Sequence, residues 1–385
     1  MPAGSLKIGR LFGIPIFLHV TLLLILPLFA VVFAFTSVTF YYWPLGYNNL
    51  PMDDVSKLLW GVGAAILFFV SVLVHELAHS VVAVRRGYKI SGITLFIFGG
   101  VSQIEAVPEE AKGEAWMAFV GPLSSIIIGL IFTPLFFIVN DLPSTMNLTG
   151  GTLVAVQATA ITLSIIGFYN ILLGLFNLLP AFPMDGGRVL RAELAKRMDF
   201  LKATRISVWI GKYSAIVMAI VGVFFNFWLI LIAFFIYIGA DEEWRVTQAT
   251  SALKGVKVKE IMTTSVVTVT PETTIAEVWQ HMSTERHIGY PVVKNGALVG
   301  VVTLSDVTRI KEAERQNKKV GEVMSRTPIT VGPEEQTVKL FEMMSTRDIN
   351  RVLVVQDKGL VGIVTRTDLM RAMDLQLARR KAAQG

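Results

Sequence analysis

Apolar positions along this chain fall into long unbroken runs rather than into the alternating or three-to-four spacing of half-buried elements. Runs long enough to cross a bilayer as helices lie at Ile16–Val38, Leu58–Val84, Ala115–Val139 and Ala155–Leu179. A further run from Ile206 to Ala240 is too long for one helix and carries Asn226 near its middle, so it reads as a hairpin of two spans. The expectation is therefore about six transmembrane helices. Lys212 falls inside the first half of the hairpin and is expected to snorkel to the membrane surface. No small-residue cleavage site follows the first run, which reads as a retained helix. From about Lys254 onward the chain has the pattern of ordinary soluble protein.

Between the second and third runs, Ile93-Thr94-Leu95-Phe96-Ile97-Phe98 is rich in β-branched and aromatic residues. Gly99-Gly100 then marks a turn, and Val101-Ser102-Gln103-Ile104 continues as strand. This hairpin is either a buried structural element or an exposed strand edge able to pair with an extended peptide.

Composition agrees with the runs: 53% of residues are hydrophobic and only 17% charged, where a soluble protein has about a quarter charged. Basic residues follow the second span (Arg85, Arg86, Lys89, Lys112) and the fourth (Arg188, Arg191, Lys196, Arg197, Lys202, Arg205), with Lys7 and Arg10 before the first. The other loops hold Lys57 alone, so both termini and the soluble part are expected to be cytoplasmic. The net charge of +6 is thus mainly a topology signal, and no nucleic-acid partner is expected.

The candidate chemistry lies inside the second run. His75-Glu76-Leu77-Ala78-His79 sets two imidazoles one helical turn apart, leaning toward one point where they can share a zinc ion. Glu76 between them can take a proton from a water at the metal. Ionisable groups in lipid are costly and mark a functional site. At the cytoplasmic end of the fourth run stands Asn177-Leu178-Leu179-Pro180-Ala181-Phe182-Pro183-Met184-Asp185-Gly186-Gly187-Arg188. Two prolines and a glycine pair cannot continue a helix, and such backbone survives at membrane depth only where it is buried or lines a cavity. Asp185 is the candidate third ligand, the alternatives being a cap for the helix that follows or a partner for Arg188. The chain has no cysteine, so zinc would need histidine and carboxylate ligands. His19, His281 and His287 are not assigned to metal.

The helix-borne His75-Glu76-x-x-His79, followed about a hundred residues later by Asn177…Pro183-Met184-Asp185-Gly186-Gly187, resembles the site-2 protease family of intramembrane zinc metalloproteases. Gly121-Pro122-Leu123-Ser124-Ser125, opening the third span, is similar to a further element of that family. The resemblance covers roughly residues 5–245 and departs nowhere from the catalytic pattern. It implies zinc on His75, His79 and Asp185, Glu76 as general base, Asn177 close to the substrate backbone, and Pro183 shaping the loop that delivers Asp185. The substrate would be a transmembrane segment of a client protein, its unwound backbone pairing with the hairpin at Gly99 and Gly100. No PDZ-like segment is inserted between the second and fourth spans.

The soluble part is an internal repeat. Val258-Lys259-Glu260-Ile261-Met262 recurs as Val320-Gly321-Glu322-Val323-Met324, and the same offset of 62 relates Thr303 to Thr365 and Asp306 to Asp368. Each copy reads strand–helix–strand–strand–helix, with Asn295-Gly296 and Asp357–Gly359 as hairpin turns. The repeat resembles a tandem pair of CBS domains over about Lys257–Met373. That resemblance implies an adenine-nucleotide sensor for ATP, ADP or AMP, with Asp306 and Asp368 accepting ribose hydroxyls and Thr303 and Thr365 supporting the phosphate side. Alternatively the pair binds nothing and serves to form a homodimer, the two aspartates being helix caps.

The chain is thus read as a polytopic α-helical membrane domain with a small β-hairpin element, plus a soluble α/β tandem CBS pair. The expected boundaries are 1–245 for the protease domain, 246–256 for a linker, 257–314 and 315–374 for the repeats, and 375–385 for a basic tail. The rival from another class is a CBS-regulated metal-ion transporter whose histidine–aspartate cluster binds the permeating ion. Against it, the H-E-x-x-H pattern occurs once, without the symmetric counterpart that transporters commonly carry.

Overall fold

The structure is a computed structural model that describes residues 4–97, 99–104, 111–285, 287–347 and 349–382. The chain divides into two compact units, Met1–Arg245 and Val246–Gly385.

The first unit opens with a hairpin where a transmembrane helix was expected to begin. Strands β1 (Ser5–Leu11) and β2 (Ile14–His19) pair antiparallel. Their linking residues Phe12 and Gly13 have φ of 50° and 81°, the left-handed geometry of a two-residue hairpin turn. The first apolar run is therefore shared between β2 and a short helix, α1 (Leu22–Phe35). A small ribbon, β3 (Thr39–Phe40) and β4 (Trp43–Pro44), leads to α2 (Asp54–Arg85), whose N-terminus is capped by the Asp53 carboxylate accepting from the Ser56 N–H at 3.0 Å.

Strands β5 (Ile90–Phe96) and β6 (Gly99–Ile104) follow, completing a sheet of order β1-β2-β5-β6 with β6 at one edge. The expected hairpin is present, but its turn lies earlier. Phe96 pairs with Gly99, so both glycines belong to β6 and the turn precedes them; Phe98 lies outside the described residues.

Helices α3 (Ala111–Met146), α4 (Gly150–Asn177), α5 (Asp185–Ala195), α6 (Phe200–Phe225) and α7 (Phe227–Leu253) complete the first unit and enter the second. Asn226 breaks α6 from α7, as expected, its side chain accepting from the Trp228 N–H at 2.9 Å. Among the described residues four helices are long and apolar enough to cross a membrane, within α2, α3, α4 and α6. The expected count of six is not matched for two physical reasons. Strand β2 takes the start of the first run, and the apolar part of α7 ends after Ala240 at Asp241-Glu242-Glu243. Lys212 does not simply snorkel: it pairs with Asp241, which also receives Arg245 Nε at 2.9 Å. Residues 246–253, expected as linker, are the last turns of α7.

Membrane helices gain little from the hydrophobic effect against one another and approach instead through small residues. A Cβ on Gly61 of α2 would lie 2.3 Å from the Ala30 carbonyl oxygen of α1. Gly129 of α3 and Gly174 of α4 are equally closed, a Cβ on either standing 2.4 Å from Ile171 Cγ1 and 2.6 Å from Ile126 Cγ1 respectively.

The second unit holds α8 (Ile275–Glu285), β7 (Gly289–Lys294), β8 (Ala297–Thr303) and α9 (Leu304–Thr308), then α10 (Val320–Val323), β9 (Thr330–Val331), α11 (Thr337–Thr346), β10 (Arg351–Gln356), β11 (Gly359–Thr365) and α12 (Arg366–Ala382). The strands form one sheet of order β7-β8-β11-β10-β9. Asn295 and Gly296 turn the first hairpin with positive φ, and Asp357 and Lys358 turn the second. The two copies exchange their leading segments. Val258, which opens the first copy, is buried in the core of the second with Val331, Val354 and Val364. Val320, which opens the second, is buried in the core of the first with Val269, Val292 and Val302. Bridges Thr263↔Ile363 and Val301↔Ser325 repeat the exchange in the sheet.

Two glycines on one helix give a paired test of the packing. Gly63 of α2 has open space around its Cβ position, so Gly63→Ala should raise stability by up to ~1 kcal/mol through helix propensity. Gly61→Ala meets backbone 2.3 Å away and should lower it by about 1–3 kcal/mol. Thermal unfolding of the two variants in detergent should move in opposite directions.

Candidate active site

Three elements meet around His75 and His79. Both histidines sit on one face of α2, and His75 is buried at 4% exposure. His75 Nδ1 lies 2.9 Å from Ser125 Oγ, and His79 Nδ1 donates to the Met117 carbonyl at 2.6 Å. Met117, Gly121 and Ser125 are spaced by four along α3, so a single helix face orients both rings. Gly121 allows the approach, since a Cβ there would stand 2.0 Å from His79 Nε2. With Nδ1 of His79 spent as a donor, Nε2 carries the lone pair that a metal needs.

Asp185 comes from the other side, as the first residue of α5. The chain leaves α4, turns at Leu178–Met184 through a cis Phe182–Pro183 bond, and doubles back. Each glycine near this loop is needed for space. A Cβ on Gly186 would lie 2.2 Å from the Leu179 carbonyl oxygen, and one on Gly187 would lie 2.5 Å from the Phe182 nitrogen. Gly211 of α6 and Gly239 of α7 form a slot for the loop, their Cβ positions 2.6 Å from the Phe182 oxygen and 2.7 Å from Pro183 Cγ. Pro183 thus sits in the delivering loop, as expected.

Among the described residues, His75, His79 and Asp185 form a group whose ligand atoms converge. Asp185 Oδ2 is 3.2 Å from Nε2 of each histidine, and the two Nε2 atoms are 3.3 Å apart. Tetrahedral zinc with nitrogen and oxygen ligands at about 2.0–2.1 Å sets those ligands roughly 3.3 Å apart. The triangle therefore fits one face of a zinc tetrahedron, and the donor set of two neutral imidazoles and a carboxylate is of zinc type.

Glu76 lies beside the triangle and against β6. Its Oε2 accepts from Ser102 Oγ at 3.0 Å, and Ser80 Oγ lies 2.9 Å from the same hydroxyl. A Cβ on Gly100 would stand 2.2 Å from Glu76 Cγ, so glycine there is what lets the edge strand close on the carboxylate. Gly99 opens β6 with a φ of 124°. Asn177, at the end of α4, donates its amide to the Leu173 carbonyl at 2.9 Å and is not part of the ligand triangle.

Ser102, Ser80 and the Met117 carbonyl carry no sequence signal, being polar groups brought in from other elements. Ser125 was visible within Gly121–Ser125, but its partner was not. In the second unit Asp306 Oδ2 accepts from Thr303 N–H at 2.9 Å and Thr303 Oγ1 at 2.7 Å. Asp368 repeats both bonds with Thr365 at the same distances, so each aspartate caps the start of the helix it sits in.

The Peptidase family M50 model matches residues 63–218, and the CBS domain model matches 258–312 and 320–375. The zinc metalloprotease MJ0392 of Methanocaldococcus jannaschii is 38% identical over 374 residues, 96% of either chain. The solved site-2 protease from the same organism covers 63% of this chain and 95% of its own at 35% identity, with a TM-score of 0.40. The structure of CBSX2 in complex with AMP covers 32% of this chain and 99% of its own at 27% identity, with a TM-score of 0.29. The chain belongs to the M50, or site-2 protease, family of zinc metalloproteases and carries tandem CBS domains. It is a metalloendopeptidase and an integral membrane protein.

Purified protein should hold about one zinc per chain, and His79→Ala or Asp185→Ala should abolish most of it, because three ligands are the minimum for a catalytic site. Metal analysis finding stoichiometric zinc in both variants would place the metal elsewhere.

Proposed function

We propose that the enzyme hydrolyses a peptide bond within a transmembrane segment of a client protein, using zinc on His75, His79 and Asp185 with Glu76 as general base. The observation that carries this reading is the convergence of the three ligand atoms at 3.2–3.3 Å beside Glu76 and an edge strand. A zinc ion at this triangle supplies Lewis acidity to water and to the scissile carbonyl. Glu76, one residue along α2 from His75, takes the proton of the attacking water and returns it to the leaving amine. Ser102 Oγ, donating to Oε2, fixes the rotamer in which Glu76 does so.

A transmembrane helix hides its carbonyls, so the segment to be cut must first be unwound. Strand β6 ends the sheet, and Gly100 lets its backbone approach Glu76. Main-chain pairing to that edge would hold an extended substrate at the base without demanding a sequence. Asn177 terminates α4 at the start of the loop bearing Asp185, which supports a role close to the substrate backbone. The distribution of Lys and Arg supports cytoplasmic termini and a cytoplasmic active-site mouth. Membership in a protease family removes the support for the transporter reading.

The CBS pair is read as an adenine-nucleotide sensor, and as the surface through which the chain forms homodimers. What supports nucleotide binding is the identical placement of Asp306 and Asp368, each held by its own Thr303 or Thr365 at a strand-to-helix junction. Binding alters proteolysis only so far as nucleotide favours one arrangement of the pair over another.

Glu76→Gln keeps shape and removes the base. Zinc content should stay while cleavage of a model transmembrane substrate falls on the order of a hundred- to ten-thousand-fold. Near-normal cleavage by that variant would sink the assignment of Glu76. For the sensor, calorimetry on the full-length protein should detect binding of ATP, ADP or AMP. The Asp306→Ala/Asp368→Ala double variant should lose that binding. Silence for all three nucleotides in the parent leaves dimerisation as the role of the pair.

A further inference from the structure

We infer that Arg191 is a positioning residue for the metal site, holding Asp185 and the two histidines at their mutual distance. The inference rests on the metal ligands proposed above. Arg191 lies on α5, the helix that Asp185 begins, and is 4% exposed. Its guanidinium makes contacts in three directions, and each leads to an element that orients a ligand or packs on the loop delivering one.

The first contact is with Glu114, itself 7% exposed in the first turn of α3. Arg191 Nε donates to Glu114 Oε1 at 3.1 Å and Nη2 donates to the same oxygen. Glu114 stands one turn before Met117 on α3, the helix whose Met117 carbonyl and Ser125 hydroxyl orient both histidines. The second contact is with Phe182, whose ring centroid is 4.9 Å from Arg191 Cζ, Phe200 lying at 4.9 Å from it as well. Phe182 is fully buried in the loop that delivers Asp185. The third is with Glu243 of α7, which accepts from Nη1 at 2.7 Å. Gly239, one turn earlier on α7, lies against Pro183 of the same loop.

Arg191 therefore ties the face that aims the histidines to the loop and helix that present the carboxylate. On stability alone a buried ion cluster gains little over well-packed apolar side chains. What a planar fork of fixed donors supplies is geometry, and a lysine ammonium cannot reproduce it. A zinc site whose ligands come from two separate helices needs such a spacer, because a shift of a few tenths of an ångström between α2 and α5 changes both histidine–aspartate separations together.

Arg191→Lys keeps the charge and loses the fork; Glu114→Gln keeps an acceptor oxygen and loses the charge. Each should weaken zinc binding by about 10-fold, the lower end of what losing a direct partner of a metal ligand costs, because neither residue touches a ligand itself. Zinc affinity is read on the full-length protein in detergent by competition with a chromophoric chelator. The visible spectrum of the cobalt(II)-substituted protein should shift as well, since it reports ligand geometry rather than stability. Unchanged zinc affinity and an unchanged cobalt spectrum in the folded variants, whatever their melting temperatures, would overturn the inference and leave a purely structural cluster. Where Arg191→Lys fails to accumulate folded, Glu114→Gln alone decides. Asp185→Ala is measured in parallel. If it binds zinc as the parent does, the ligand assignment itself fails. If it loses zinc while the other two variants keep it, only the role of Arg191 fails.

Discussion

A histidine pair inside an apolar helix has to find its hydrogen-bond and charge partners within the protein, since lipid supplies neither. In this enzyme that demand is met from two directions at once. The Nδ1 atoms face α3, through Ser125 and the Met117 carbonyl, and the Nε2 atoms face Asp185. Much of the surrounding architecture follows. α3 has to run in contact with α2, which Gly121 permits, and α4 has to end in a reversal that brings a carboxylate back to the same depth. The prolines and glycines of Leu179–Gly187 are the means of that reversal, and the glycines of α6 and α7 are the space into which it fits.

The same economy of small residues explains how a helical unit with modest apolar driving force holds a metal geometry. At Gly61, Gly129, Gly174, Gly211 and Gly239 there is no room for a methyl group against Ala30, Ile171, Ile126, Phe182 and Pro183 respectively. Such close contacts leave the helices little freedom in their relative placement. The ion cluster around Arg191 adds direction to that placement, because hydrogen bonds of a guanidinium constrain angle as well as distance.

Much of the site was legible in the chain. His75 and His79 announce themselves by spacing within an apolar run, Asp185 by backbone that cannot continue a helix, and the repeat by its constant offset. The illegible parts share one cause: they depend on partners far apart in sequence and on no periodicity. Ser102 reaches Glu76 across 26 residues and Met117 reaches His79 across 38. Gly99-Gly100 looked like a turn because glycine is the usual turn residue, yet Gly100 is in a strand because Glu76 leaves no room for a side chain. The β1-β2 hairpin was hidden because β2 is as apolar as the helix after it, and its turn begins with Phe12, a residue rarely found at positive φ.

The exchange of leading segments between the CBS copies has a consequence for what can exist as a unit. Val258 completes the core of the second copy and Val320 that of the first, so each copy is incomplete over its own stretch of sequence. A chain broken between the repeats does not yield one intact half; it yields two open cores, each lacking the valine its neighbour carried. Duplication of such a module therefore adds folded structure only in pairs, and a lesion confined to one copy is felt by both.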